Sequence, residues 1–87
     1  MKARRKRDWD NLLEELKLIL PMVDIEYRET KRIKSNGGLC IVKGKNFLIV
    51  KRDIESEEKA EIIKNELKSF DLESKYIKPE VREFLEE

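Results

Sequence analysis

Ser35-Asn36-Gly37-Gly38-Leu39-Cys40-Ile41-Val42-Lys43-Gly44-Lys45-Asn46-Phe47-Leu48-Ile49-Val50 is the stretch that decides the fold class. It holds two apolar runs of four, residues 39–42 and 47–50, rich in the branched and aromatic side chains that suit a pleated sheet. Asn36-Gly37 supplies the positive φ angles of a tight turn before the first run. Residues 43–46 read as a second turn between the runs. Both runs are apolar on odd and even positions alike, so the sheet they belong to needs cover on both faces.

Immediately upstream the pattern alternates. Val23, Ile25, Tyr27 and Ile33 fall on one parity, while Asp24, Glu26, Arg28, Thr30, Arg32 and Lys34 fall on the other. That is a strand with one wet face. Before it, Trp9, Leu12, Leu13, Leu16, Ile19 and Leu20 recur at spacings of three and four, the mark of an amphipathic helix. Asp8 or Asp10 caps its start, and Pro21 disfavours helical geometry at Leu20 and stops it there. Downstream, Ser56 is a candidate N-cap for a helix whose stripe is Ala60, Ile63, Leu67 and Phe70. Pro79 opens a last short helix with Val81, Phe84 and Leu85 as its apolar side.

The expected fold is α+β, in the order α-β-β-β-α-α, with a three-stranded antiparallel meander packed with helices. Residues 1–7 are expected to form a flexible basic tail and residues 8–87 a single α+β domain, with no internal repeat. Two arrangements satisfy the doubly apolar strands. The three helices divide between the two faces, or a second copy covers one face or the edge of the third strand.

Composition excludes many chemistries. The chain has 87 residues, 45% of them charged, with 20 Lys+Arg against 19 Asp+Glu, one cysteine and no histidine. Without histidine there is no Cys-His or Ser-His pair and no imidazole for zinc. A lone cysteine makes no internal disulfide, which points to a reducing, cytoplasmic setting. The basic start runs straight into Asp8-Trp9-Asp10, with no apolar segment for a signal peptide. No run approaches the ~20 apolar residues that span a bilayer. The expectation is a soluble protein that makes no membrane contact, needs no cofactor or metal and is not an enzyme. Cys40, set mid-strand, is expected to be a small buried hydrophobe.

Two motif spellings dissolve on inspection. Gly38 to Asn46 places five residues between its glycines and follows Gly44-Lys45 with Asn46, which departs from a phosphate loop in spacing, chemistry and the helix it requires. Ser56-Glu57-Glu58-Lys59 matches the Ser-x-x-Lys of serine acylases but has neither the companion motifs nor the scaffold.

Asn65-Glu66-Leu67-Lys68-Ser69, on the helix after the sheet, carries a faint family likeness. Over roughly residues 23–70 the chain resembles the core of small zincin-like peptidases of the phage-immunity type, whose corresponding helix bears His-Glu-x-x-His. Asn65 and Ser69 stand where both histidines belong. The resemblance therefore implies a catalytically inactive, zinc-less relative.

Charge is segregated along the chain: +5 over residues 1–7, −5 over 8–27, +7 over 28–52 and −6 over 53–87. Arg4, Arg5, Lys6, Arg7, Lys31, Arg32, Lys34, Lys43 and Lys45 form a candidate phosphate-contacting patch. The overall balance of +1 and the lack of spare strand aromatics, with Tyr27 and Phe47 assigned to the core, make such binding weak and salt-sensitive. The leading expectation is a non-catalytic domain acting through protein–protein interaction, with an unknown partner or with itself as a homodimer. Its candidate self-association surface is Cys40, Val42, Leu48 and Val50, expected to share one sheet face. Nucleic-acid binding through the tail and hairpins is the alternative.

Overall fold

The computed structural model describes residues 7–87. Helix α1, Trp9–Ile19, begins where the Asp8 carboxylate accepts the Asn11 amide at 3.0 Å. It buries Leu12, Leu13, Leu16 and Ile19. The chain then tightens into a 3₁₀ turn, Leu20–Val23, and reverses at Asp24 in the left-handed region (φ 60°). Strand β1, Ile25–Thr30, follows. The strand thus starts two residues later than the alternation from Val23 suggests, and it ends before Ile33, because Thr30 anchors a bend. Its Oγ1 accepts the Arg32 amide and its carbonyl accepts the Arg52 amide.

Strands β2, Gly37–Val42, and β3, Lys45–Lys51, form a hairpin. Only Lys43 and Gly44 lie in its turn, both at positive φ (52° and 79°), the signature of the tight I′ type. Lys45 and Asn46, read as turn residues from the sequence, belong to β3. The sheet order is β1-β3-β2. β2 runs antiparallel to β3, but β1 runs parallel to it.

The sheet is therefore mixed, and the antiparallel meander is corrected. Residues 31–36 cross the end of β3, where the Lys51 amide meets the Asn36 carbonyl at 2.8 Å. Two strand spacings are about 10 Å, well within reach of six residues. β3, whose Leu48 and Val50 are wholly buried, takes the centre, and β1, which carries Glu26, Arg28 and Glu29, takes an edge. Among the described residues, β3 consequently has no free edge, whereas β1 and β2 each have one.

Helix α2, Ser56–Leu67, starts one residue earlier than its expected cap implies. Glu55 is the N-cap in a capping box with Glu58, and Ser56, already helical, donates its hydroxyl to Asp10 of α1. α3, Pro79–Leu85, enters through Pro79 as expected. Arg82 holds the preceding loop by donating to the carbonyls of Leu72 (3.3 Å) and Lys75 (3.0 Å).

One core joins all of these elements. Leu16, Leu20, Leu48, Val50, Ile63, Val81 and Phe84 are its largest fully buried side chains. Every sheet residue buried in it, namely Ile25, Leu48 and Val50, comes from the same face. The helices do not divide between two faces; they lie on one. No helix among the described residues is long and apolar enough to cross a membrane.

Candidate functional site

The hairpin register determines what each face carries. A two-residue turn pairs Val42 with Lys45, so facing residues have opposite parity: Leu39 with Leu48, Cys40 with Phe47, Gly38 with Ile49. Leu39 and Ile41 therefore share the helix-covered face with Leu48 and Val50. Cys40 and Val42 lie on the other face, with Phe47 and Ile49. The expected surface of Cys40, Val42, Leu48 and Val50 is corrected accordingly. Leu48 and Val50 are wholly buried under the helices, whereas Cys40 and Val42 are exposed. Cys40 is thus an exposed thiol rather than a core residue.

No residue of the helix-free face is buried. From β1 it presents Glu26, Arg28 and Thr30; from β3 Lys45, Phe47, Ile49 and Lys51; from β2 Gly38, Cys40 and Val42. Phe47, assigned to the core from the sequence, is half-buried here instead. The Arg28 guanidinium stands 5.3 Å and the Lys45 ammonium 5.7 Å from its ring centre. Glu26 ties the two cations together, accepting from Arg28 Nε at 2.6 Å and pairing with Lys45 Nζ at 3.0 Å. The Lys45 and then the Arg28 hydrogen bonds hold the Glu26 carboxyl below its ordinary range. The result is an aromatic ring in a frame of paired charges, with Ile49 and Val42 beside it.

The two edges of the sheet differ in chemistry. β1 carries Glu26, Arg28 and Glu29, and edge charges deter a further strand. β2 carries no charge at all, and it sits within residues 35–42, the longest uncharged run in a chain that is 45% charged. Its outer half is open, with Ile41 68% and Val42 47% exposed. This edge escaped the sequence reading, because composition marks an apolar strand but does not say which strand lies outermost.

The basic patch does not assemble. Lys43 and Lys45 sit at the hairpin end of the sheet. Lys31, Arg32 and Lys34 sit in the loop beyond Thr30 and Lys51, at the opposite end. About 20 Å of strand lies between them. Arg4, Arg5 and Lys6 fall outside the described residues. Arg7 is not part of a free arm. It pairs with Glu87 at 2.5 Å and lies over the rings of Trp9 and Phe84 at 5.1 and 5.2 Å.

The remaining polar clusters brace the fold. Glu29 accepts from the Tyr27 hydroxyl at 2.6 Å and from Lys59 at 3.1 Å, with Lys17 at 3.9 Å, so α1, α2 and β1 meet on one carboxylate. Among the described residues, no three His, Cys, Asp or Glu side chains gather in a way that could hold a metal ion. At the positions of the zincin-like resemblance, Asn65 and Ser69 are exposed. Ser69 lies past the end of α2 and donates to the Glu66 carbonyl at 3.2 Å.

The described residues form an α+β domain with a three-stranded mixed sheet, helices on one face and the other face open. No family model, curated protein or solved structure matches the chain.

Proposed function

We propose that this is a non-catalytic interaction domain that associates with a second copy of itself through its sheet, at the uncharged β2 edge and the helix-free face beside it. The observation that carries the reading is the pairing of an uncovered face bearing Phe47, Ile49, Cys40 and Val42 with an uncharged free edge at β2. Small domains bury a modest share of their surface, and completing a sheet with a second copy is a common remedy. Light scattering from micromolar to millimolar protein, at low and physiological salt, tests it. An apolar association gives a mass that rises with concentration at both salts. A monomer throughout contradicts the proposal.

A second reading rests on Phe47 and its cations. An aromatic ring on an open sheet face, flanked by Arg28 and Lys45, is a platform on which a base of single-stranded nucleic acid can stack. The patch is small and Glu26 neutralises part of it, so binding of this kind is weak and collapses as salt rises. Fluorescence anisotropy with a single-stranded oligonucleotide, wild type against Phe47→Ala, measures it.

A further inference from the structure

We propose that two copies join along β2, strand to strand and antiparallel, making one six-stranded sheet whose two-fold axis passes beside Cys40. The inference rests on the self-association reading and specifies its geometry. In the hairpin, Val42 and Lys45 close the turn, and bonding alternates along an antiparallel pair. Cys40 and Gly38 therefore turn their amide and carbonyl groups toward β3, and the Asn36–Lys51 bond continues that series. Leu39 and Ile41 turn theirs outward, to a free edge.

A second β2 satisfies those groups symmetrically. With the axis at Cys40, Leu39 bonds the partner's Ile41 and Ile41 bonds the partner's Leu39. Ile41, the most exposed residue of β2, then covers the partner's Leu39 on the helix side of the sheet. Val42 lies over the partner's Gly38 on the open side, where there is no side chain to obstruct it. The two Cys40 residues face each other there, Cα atoms about 4.5 Å apart as in any non-bonded antiparallel pair.

Charge selects this occupant over other strands. Positions 38–42 carry none, and Lys34 and Lys43 fall outside the ladder, so no like charges are opposed. A β1 strand in the same place would bring Glu26, Arg28 and Glu29 against the apolar run. A five-residue ladder with these side chains buries on the order of 700 Å² in total, in the class of weak, reversible contacts. The dimer is therefore sought at millimolar protein.

The test uses the whole chain. Ile41→Lys places a charge on a side chain already exposed to solvent, so the fold is retained, which circular dichroism verifies. It raises the dissociation constant measured by light scattering at least about tenfold. A short bismaleimide joins wild-type chains through Cys40 under native conditions and fails to join the Ile41→Lys chains at the same concentration. A dimer unaffected by Ile41→Lys and not joined at Cys40 overturns the edge geometry and leaves self-association by another surface. A wild-type monomer at millimolar protein overturns self-association itself.

Discussion

Leu39 of β2 stands directly across from Leu48 of β3. That pairing fixes the side of the sheet taken by every residue in the hairpin. Leu48 points into the core with no exposure, and its chain neighbour Ile49 points to the helix-free face. Leu48→Ala is expected to cost about 2–5 kcal/mol by urea unfolding, as a cavity in a closed core does. Ile49→Ala is expected to cost about 1 kcal/mol, chiefly through lost strand preference. Equal costs would mean that both faces are covered.

Gly37 and Gly44 separate two reasons for glycine. A Cβ on Gly37 would lie 2.7 Å from the Ile49 carbonyl oxygen and 3.1 Å from the Val50 Cα, on a backbone at φ 155°. A Cβ on Gly44 meets nothing, and only its φ of 79° is unfavourable. Gly44→Ala should therefore cost about 1 kcal/mol. Gly37→Ala should cost about 3 kcal/mol, because backbone must move in the central strand. Paired urea titrations of the two variants give the comparison.

Element types were legible in the sequence, and their spatial order was not. The spacings of Leu12, Leu16 and Ile19, and of Ala60, Ile63 and Leu67, report helix faces that pack as expected. Strand order depends on competition for the centre of the sheet, and no local pattern in β1 announces that β3 will slip between it and β2. The parity of the hairpin was within reach, since a turn of Lys43 and Gly44 alone forces Leu39 opposite Leu48. The open face followed from neither. Phe47 and Ile49 look like core residues in any list of apolar positions, and only the placement of all three helices on one side exposes them.

Glu29 should give the fold an acid-sensitive contact. Burial acts to raise its pKa, but the Tyr27 and Lys59 hydrogen bonds, with the Lys59 and Lys17 charges, outweigh burial and leave it below the ordinary 4.5. A depressed folded pKa contributes stability that is fully present above the unfolded value and is lost as pH falls through the folded one. Glu29→Gln should flatten the dependence of stability on pH below about 4.5 while leaving the curve at neutral pH parallel to wild type. Unfolding titrations from neutral to acid pH show whether the slope changes.

Arg7 ties the start of the described chain to its end. Its side chain is 17% exposed, between the Glu87 carboxylate and the rings of Trp9 and Phe84, which themselves meet edge to face at 5.7 Å. Arg7→Ala is expected to lower stability by about 1 kcal/mol, mostly through lost ring contact rather than the exposed ion pair. Glu87→Gln should cost less. Thermal melts of both variants rank the two contributions.

Amide hydrogen exchange along β2 tests the central claim most directly. In a single copy, the amides of Gly38 and Cys40 are bonded to β3 and those of Leu39 and Ile41 face solvent. Pairing of β2 with a second β2 predicts that protection at Leu39 and Ile41 rises as protein is raised from micromolar to millimolar, while Gly38 and Cys40 stay protected throughout. Unprotected exchange at Leu39 and Ile41 at every concentration would contradict it.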